Sequence, residues 1–537
     1  MTRDLQSARA ALIRDLLRPG NFPGNSSRVA LTSTHISDVF LTDREAWKIK
    51  RPVNFGFLDF STLDSRRHFC HEEVRLNAGL APGVYRGVVP VRLDARGHSF
   101  RRGGRIVDYA VRMKRLPESA SARDMLEKGT LGWEHLAALA SLLAPFYAAR
   151  RATPRFGSAR AIRVNVRENF DQVEPFVGRF VAPERFASVR RWQESFLRAH
   201  SRTFHARVRA GRIREGHGDL RLEHVYFLHD GPLVIDCIEF NERFRCGDVA
   251  SDVAFLAMEL VQRGRHDLAA WFLDRFAMES GDYDLFSVAD FYISYRAWVR
   301  AKVACFVAAD PSTPPDKARR KAEEAAAGFA LAEAVSHPPW EEPRVIAVAG
   351  QVASGKSTVA EAIGRRLGYP IVGSDATRKS LAGLRLRDRG GAALYSEAFS
   401  RRTFRELFRR ARAVLRSGRG VILDATFRSR ALRNRARRLA AGLPFFLVEA
   451  WCDDATTRRR LRARERGPSI SDARVSQWKL LKDRFDPVTE LPAGLHLRVN
   501  TVSPPAAWLP RILRTIRAPQ EVGRSGKSSY SSGRKPL

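Results

Sequence analysis

A glycine-rich segment at residues 350–357 has the residue types needed to bind a phosphate chain. It reads GQVASGKS and fits the pattern G-x4-G-K-[ST]. In such a loop the glycines let backbone N–H groups wrap around phosphates, the lysine reaches the outer phosphates, and the last hydroxyl ligates Mg²⁺. The bland alternative is a glycine-rich turn. We expect the loop and the residue after it to bind nucleotide through Gly350, Ser354, Gly355, Lys356, Ser357 and Thr358, with Lys356 also acting in catalysis and Ser357 on the metal.

Two aspartates further along the chain lie where strands are expected to end. Asp375 follows the short apolar run YPIV and could accept a hydroxyl proton or hold a substrate. Arg378, about one helical turn later, could meet an anion. Asp424 ends the run GVILD, where a carboxylate could reach the Mg²⁺ shell. The alternatives are a helix cap at Asp375 and a turn residue at Asp424.

A second pair of aspartates lies in the first half of the chain. Asp219 belongs to the segment HGDL, and Asp236 follows 17 residues later, at the end of a predicted hairpin with the turn HDG. One carboxylate could orient and deprotonate an acceptor hydroxyl while the other holds the Mg²⁺ that bridges phosphates. A turn aspartate is the alternative for either residue.

The hydrophobic pattern of the second half predicts elements that could bring its residues together. Apolar runs at 345–350, 420–424, 445–451 and 495–500 are expected strands, separated by a helix over 357–367 and by arginine-rich helical patterns. Strands that alternate with helices favour a parallel sheet with right-handed crossovers. The second half is therefore expected to be an α/β three-layer domain with a parallel sheet.

The first half has a mixed pattern. Short strands are expected around 34–41 and 45–51, and long helical segments follow residue 250. This indicates an α+β domain with a small sheet-rich lobe and a larger helical lobe.

Two changes in composition suggest domain boundaries. Residues 310–343 combine a proline-rich turn, an alanine-rich helix and a second proline pair, which is typical of a linker between globular parts. The chain after about residue 519 has almost no apolar residues. We expect a first domain at 1–336, a linker at 337–343, a second domain at 344–517 and a disordered tail at 518–537.

The charge balance of the 537 residues is strongly basic. There are 93 Lys plus Arg against 58 Asp plus Glu, a net charge of +35, and 13 of the cations are lysines, which leaves 80 arginines. Such a surplus either marks a surface for a polyanion such as nucleic acid or reflects arginine-rich composition spread over solvated helices. The lysines are the sharper signal, since Lys48, Lys50, Lys356 and Lys379 all fall inside candidate phosphate-binding motifs.

Five cysteines form no C-x-x-C pair and are too few for a disulfide framework. No apolar run approaches the roughly 20 residues that span a bilayer. These features favour a soluble cytoplasmic protein without a membrane partner.

The second half resembles small P-loop kinases of the AAA/zeta-like, gluconate kinase, chloramphenicol phosphotransferase and polynucleotide kinase type. The resemblance rests on GQVASGKST, SDATRKSLAGL, VILDATF and RRRLRARERG and covers roughly 345–490. It implies that Asp375 is the base near the acceptor hydroxyl and that Arg378 binds the acceptor. It also implies a lid over the transferring phosphate that carries Arg458, Arg462 and Arg464.

The first half resembles the aminoglycoside phosphotransferase group of the protein-kinase-like fold, in an arrangement where such a domain is fused to a P-loop kinase. The resemblance rests on GHGDLRLEHVYFL and VIDCIEFNERF, with AWKIKRP and HFCHEEVRLN upstream. It implies Asp219 as catalytic base and Asp236 as the Mg²⁺ ligand. The phosphate-gripping lysine would be Lys48 or Lys50, which share one strand face, with Glu73 as its helix partner.

The first half departs from that family at two places. His224 stands where these kinases have an asparagine for a second Mg²⁺, and imidazole is a poor ligand for that ion. Glu239 or Asn241 could supply a replacement oxygen. The segment LTSTHISDVFL replaces the usual glycine-rich loop. Asp248 and Asp252 are expected to anchor the loop and the helix that follows.

The sequence thus predicts an ATP-dependent phosphotransferase with two nucleotide sites, each using Mg²⁺-ATP and a hydroxyl acceptor that the sequence does not identify. The alternative is a nucleotide-gated regulatory or nucleic-acid-binding ATPase in which the first site is degenerate. The motif order favours the enzyme, because a pure binding protein has no use for both a general-base and a metal-binding aspartate.

Overall fold

The computed structural model describes residues 3–336, 342–467, 469–472, 475 and 485–518. The chain divides into two compact units, Met1–Pro339 and Trp340–Leu537. The expected linker at 337–343 and tail at 518–537 lie largely outside the described residues.

The first unit opens with a small sheet-rich lobe. Its elements are α1 (Arg3–Leu16), β1 (Ala30–Ser33), β2 (Ser37–Leu41), β3 (Glu45–Lys50), α2 (Leu63–Asn77), β4 (Tyr85–Asp94), β5 (Gly97–Ser99) and β6 (Arg105–Lys114). The six strands form one sheet in the order β1-β2-β3-β6-β4-β5, and every neighbouring pair is antiparallel.

Side-chain alternation along β3 separates an apolar face from a polar one. Trp47 and Ile49 point into a cluster that includes Phe40. Because successive strand residues face opposite sides, Lys48 and Lys50 point to the other face, on which α2 packs. The strand therefore presents two lysines to one helix.

A larger helical lobe follows. Its helices are α3 (Ala122–Glu127), α4 (Trp133–Ala149), α5 (Ala159–Val173), α6 (Pro183–Ala199), α7 (Ser201–Arg209), α8 (Glu242–Arg245), α9 (Val249–Gln262), α10 (His266–Ser280), α11 (Phe286–Ala309) and α12 (Pro315–Ala334). Its strands are β7 (Ile213–Glu215), β8 (Val225–Leu228), β9 (Gly231–Val234) and β10 (Cys246–Asp248). Strand β7 pairs with β10, and β8 with β9, both antiparallel, so the predicted hairpin around HDG is present.

The linker character expected for residues 310–343 is wrong for most of that segment, because α12 packs into the first unit. The Phe329 ring lies 4.7 Å from the Trp298 ring of α11, and both side chains are fully buried. Gly328 lies so close to α11 that a Cβ there would come within 3.0 Å of Ala301. The alanine-rich helix α12 is part of the core through its apolar face, which composition alone does not reveal.

The second unit is built on a parallel sheet. Its elements are β11 (Val345–Ala349), α13 (Lys356–Leu367), β12 (Ile371–Gly373), α14 (Ser374–Leu381), α15 (Glu397–Arg416), β13 (Val421–Asp424), α16 (Arg430–Leu439), β14 (Phe445–Trp451), α17 (Asp454–Glu465), β15 (His496–Asn500) and α18 (Pro505–Arg517). The strand order is β12-β13-β11-β14-β15, with all pairs parallel.

Burial on both faces of the sheet explains the unbroken apolar runs. Every residue of β11 is buried, as a central parallel strand requires. The carboxyl ends of β11, β12 and β13 lie at one edge, which places the loop at 350–355, Asp375 and Asp424 together. Among the described helices of the chain, none has both the length and the apolar character needed to cross a membrane.

Candidate nucleotide-binding and active sites

In the first unit, Lys48 lies between carboxylates from two other elements. Its Nζ donates to Glu73 Oε1 on α2 at 2.9 Å and to Asp236 Oδ1, just after β9. Burial acts to lower the pKa of Lys48, but Asp236 and Glu73 outweigh it and hold the pKa well above its usual value. The Lys48 ammonium group thus links strand β3 to helix α2 and to the segment after β9.

The second candidate, Lys50, is enclosed in a buried ion-pair network. Its Nζ donates to Glu73 Oε2 at 2.7 Å and to Glu239, and it lies 4.9 Å from the centre of the Phe60 ring. Lys50 thus engages Glu239 Oε1, and the expectation that Glu239 supplies a replacement metal oxygen stays a prediction. The Asn241 side chain caps α8, and its expected metal-binding role likewise stays a prediction.

Asp252 fixes the loop that carries Asp219. Its carboxylate accepts the N–H groups of His217 at 2.7 Å and Gly218 at 3.0 Å. Asp248 caps α9, so both aspartates hold the loop and the helix in place. The side chain of Asp219 is 28% exposed at the end of this fixed backbone.

His224 lies between the two aspartates of the candidate active site. Its Nδ1 is 2.8 Å from the Asp219 carbonyl oxygen, which can only accept, so Nδ1 carries the proton and donates. Its Nε2 lies 3.6 Å from Asp236 Oδ2. The imidazole therefore lies between the Asp219 backbone and the Asp236 carboxylate.

Positive neighbours, Arg221 beside Asp219 and Lys48 beside Asp236, lower the pKa of both aspartates. Burial raises the pKa of Asp219, but Arg221 and His224 outweigh it, so the pKa lies below its ordinary value. Burial also raises the pKa of Asp236, and there Lys48 and His224 outweigh it by more. At neutral pH Asp219 can accept a proton and Asp236 can hold a cation.

In the second unit, the loop after β11 has a backbone that requires glycine. Gly350 has a φ of +143°, and a Cβ there would lie 2.2 Å from the Ala450 carbonyl oxygen. Gly355 has a φ of +90°, and a Cβ there would lie 2.8 Å from Thr501 Oγ1. Between them, Ser354 Oγ is buried and has no hydrogen-bond partner among the described residues.

Three residues expected to hold nucleotide and metal converge at this loop. Ser357 Oγ donates to Asp424 Oδ2 at 2.7 Å, and Lys356 Nζ donates to the Gln351 carbonyl oxygen at 2.7 Å. Burial lowers the pKa of Lys356, an effect that Asp424 partly offsets, and burial raises the pKa of Asp424. The next residue, Thr358, is exposed at the start of α13.

Asp375 and Arg464 both lie close enough to Lys356 to affect its pKa. Asp375 lies in the first turn of α14, where no side chain caps the helix, so the capping alternative does not describe it. Burial lowers the pKa of Arg464, and Asp375 and Asp424 act in the opposite direction. Arg464 is half-buried, whereas the two other lid arginines are exposed, namely Arg458 and Arg462.

Arg378 is enclosed by the chain that follows α14. It is 7% exposed, donates to the Leu394 carbonyl oxygen at 2.6 Å and lies 4.6 Å from the centre of the Tyr395 ring. Its Nε is buried and has no partner among the described residues. The segment after α14 therefore holds the Arg378 guanidinium in place, and its expected role in binding the acceptor stays a prediction.

The placement of Lys379 corrects the expectation that it grips phosphate. Lys379 is 1% exposed, and its Nζ donates to the carbonyl oxygens of Leu386, Asp388 and Ser469 at 2.9, 2.6 and 3.3 Å. Asp472 Oδ1 lies 3.3 Å from the same atom. Lys379 is thus a structural cation that joins two segments to α14.

Sequence reasoning missed two residues that hold the phosphate-binding loop. Arg460 on α17 donates to the Ala353 carbonyl oxygen at 3.3 Å and to Thr501 Oγ1 at 2.9 Å. Thr501 Oγ1 in turn donates to the Ser354 carbonyl oxygen at 2.6 Å. The available signal was weak, because Arg460 is one arginine in RRRLRARERG and Thr501 simply follows the last strand.

The donors at this loop fit a bound Mg²⁺-nucleotide. The orphaned Ser354 hydroxyl and two positions where a Cβ would clash define a tight cradle of backbone and hydroxyl groups. Ser357 and Asp424 offer adjacent oxygen ligands, which Mg²⁺ prefers. Among the described residues, no three His, Cys, Asp or Glu side chains form a metal cluster, and a magnesium held largely by phosphates needs none.

Comparison with known proteins gives one family match and several similar solved structures. A family described as an AAA domain matches residues 345–488. Similar solved structures include the GDP and kanamycin complex of APH(2″)-IIIa, with 14% identity, 58% of this chain and 98% of that chain covered, and a TM-score of 0.36. A choline kinase from Cryptosporidium parvum is 10% identical, with 60% and 93% covered and a TM-score of 0.37.

A gluconokinase from Sinorhizobium meliloti is 22% identical, with 33% of this chain and 93% of that chain covered and a TM-score of 0.25. The predicted α+β first unit and the predicted α/β second unit with a parallel sheet are both present, and the AAA domain match lies in the second unit.

One relative matches nearly the whole chain. The uncharacterized protein Rv2004c of Mycobacterium tuberculosis is 31% identical over 464 residues, which cover 83% of this chain and 89% of the relative. The match is too long to lie within either unit alone. The chain therefore belongs to the same protein family as Rv2004c of Mycobacterium tuberculosis.

Proposed function

We propose that the chain is a phosphotransferase with two separate sites, each of which binds Mg²⁺-ATP and transfers its γ-phosphate to a hydroxyl group. The observation that carries the proposal is the convergence of Lys356, Ser357 and Asp424 on a glycine-constrained loop. The charged arrangement of Lys48, Glu73 and Asp236 in the first unit supports a second nucleotide site.

In the second unit, each residue has a role that follows from its position. Backbone N–H groups of the loop and Lys356 hold the phosphates, while Ser357 and Asp424 hold the metal, which screens phosphate charge when bound. Asp375, near Lys356 and Arg464, orients the acceptor hydroxyl and takes its proton. Arg464 stabilises negative charge that spreads over the transferring group.

In the first unit, Asp219 is the proposed base and Asp236 the proposed metal ligand. Lys48, fixed by Glu73, is the proposed phosphate-gripping lysine because Lys50 is fully buried and committed to Glu239. With imidazole at position 224, we propose that this site uses one Mg²⁺ rather than two.

A second candidate function is favoured by His224. Its ring lies within 3.6 Å of Asp219 Oδ2 and Asp236 Oδ2, so it could hold the first site in an inactive, nucleotide-sensing state. The chain would then be a regulatory or nucleic-acid-binding ATPase whose chemistry lies in the second unit alone.

We also propose the domain limits 1–336 and 344–517 and a cytoplasmic location. The described cysteines are all free, and four of them are buried, as a reducing compartment allows.

Single-turnover transfer from radiolabelled ATP separates the two candidates. Three forms of the full chain are compared: the wild type, Asp219→Asn and Lys356→Ala. Each is tested with sugars, aminoglycosides and 5′-hydroxyl oligonucleotides as acceptors. Two active sites predict that each variant loses transfer to one acceptor class by at least 100-fold and keeps the other. The regulatory alternative predicts that Lys356→Ala removes all transfer and Asp219→Asn removes none. Full transfer by both variants would contradict both assignments.

A further inference from the structure

Helices α15 and α16 of the second unit contain many arginines, and several of them are neutralised by glutamate. Arg401 pairs with Glu397, and Arg409 and Arg410 pair with Glu406. The buried Arg433 likewise pairs with a glutamate from the chain before β15. These arginines are explained by the fold.

Four further arginines on the same helices have no carboxylate partner in the part of the chain that the structure describes. They are Arg405 and Arg412 on α15 and Arg435 and Arg438 on α16, and we call them the α15/α16 arginine patch. Among the described residues, none of the four has a carboxylate oxygen within 4.0 Å, in contrast to Arg401, Arg409, Arg410 and Arg433. Helix α16 itself contains no acidic residue.

Arg435 lies close enough to the other three guanidinium groups to be repelled by them. Burial lowers the pKa of Arg435, and Arg412, Arg405 and Arg438 lower it further. The Phe408 ring holds the Arg435 side chain near the other arginines, because the guanidinium lies 4.7 Å from the centre of that ring. A fold gains nothing from gathering like charges, so the cluster indicates an anionic partner.

The spacing of the patch suits a chain of phosphates. Arg405 and Arg412 are seven residues apart, about 10 Å along one face of α15, and Arg435 and Arg438 are about one turn apart on α16. Guanidinium groups bind phosphate oxygens in a bidentate manner. A surface for a membrane would need exposed apolar side chains to insert, and the exposed large apolar residues of the described chain all lie outside α15 and α16.

We propose that the α15/α16 arginine patch binds the phosphate backbone of a nucleic acid without reading its sequence. The patch is distinct from the residues of the phosphate-binding loop. This inference therefore does not depend on the proposed phosphotransferase activity. It assigns a binding role to four arginines of a chain whose net charge is +35.

Binding of a fluorescein-labelled 20-nucleotide oligo(dT) to the full chain, without ATP, tests the proposal. Anisotropy titrations between 50 and 200 mM KCl give the salt slope for wild type and for R405Q/R412Q/R435Q/R438Q. The slope should fall by about 0.7 per lost phosphate contact, hence by roughly 3, and affinity at 50 mM should fall at least tenfold.

A matched variant removes the same charge elsewhere. R160Q/R167Q/R202Q/R209Q replaces four exposed arginines of α5 and α7 in the first unit, and it should change affinity less than threefold. If the quadruple patch variant fails to fold, R405Q/R412Q, at two exposed positions, should halve the effect. Equal losses in patch and control variants, or no binding at 50 mM, would overturn the proposal. So would patch-dependent binding to phosphatidylserine/phosphatidylcholine vesicles without binding to the oligonucleotide.

Discussion

At the scale of single residues, three lysines of this arginine-rich chain occupy positions where an ammonium group contacts several oxygen atoms at once. Lys48, Lys50 and Lys379 each contact two or more oxygen atoms from different segments. A compact ammonium donates in three directions, which a planar guanidinium does not. Sequence reasoning found the first two lysines, but the roles of Lys50 and Lys379 depend on burial that the sequence does not reveal.

The two lysines of β3 should therefore differ in their effect on stability. Lys50→Met leaves Glu73 and Glu239 buried without their shared cation, which should lower the free energy of unfolding by about 3–5 kcal/mol. Lys48→Met should cost less, because Glu73 keeps Lys50 and the Asp236 side chain is 39% exposed. Urea unfolding followed by circular dichroism measures the difference. A larger loss for Lys48→Met, or no rescue of Lys50→Met by Glu239→Gln, would contradict the network.

Lys302 on α11 should make stability rise with pH in the alkaline range. Burial lowers its pKa to about 8, and its Nζ donates to Asn169 Oδ1 at 2.6 Å and Gln172 Oε1 at 2.7 Å. Above pH 8 the unfolded chain then binds more protons at this residue than the folded chain. The free energy of unfolding therefore increases as pH rises toward 10.5, because the cost of burying a charged lysine is lost. Relative to Lys302→Met, the wild type should gain about 2 kcal/mol between pH 7 and 9.5. A pH-independent difference in urea unfolding would show that Lys302 has an ordinary pKa.

At the scale of elements, the strands of the second unit are predictable because each is a short apolar run buried on both faces. The expected strand at 445–451 matches β14, and the helix after the loop begins one residue earlier than expected. The packing of α12 was not predictable, because its apolar face is made largely of alanine and glycine and resembles linker composition. The supports of the phosphate-binding loop, Arg460 and Thr501, come from distant elements and left little local signal.

Lys379 should couple the segments at 386–388 and 469–472 to α14. Removing the cation in Lys379→Met frees three carbonyl oxygens and Asp472, so amide exchange in both segments should accelerate at least tenfold. Asp472→Asn should have a smaller effect, and the double variant should show less than additive loss. Hydrogen exchange with mass spectrometry reads each segment separately. Unchanged exchange at 469–472 in Lys379→Met would contradict this coupling.

At the scale of the whole molecule, the chain joins two units whose candidate sites are each complete within one unit. Motif spacing was enough to predict the order of the units and the fold of each. The sequence did not reveal which arginines matter, because 80 of them share one composition and only contacts separate neutralised arginines from those of the α15/α16 patch. The acceptors depend on the shape of the site, which the motifs do not encode.

The number of nucleotides bound per chain tests the central claim most directly. Isothermal titration of the full chain with a non-hydrolysable ATP analogue and Mg²⁺ should give two equivalents for the wild type. Lys356→Ala should leave one equivalent, held by the first unit, and Lys48→Met should leave one, held by the second. A single equivalent in the wild type that Lys356→Ala abolishes would contradict the account of two separate sites.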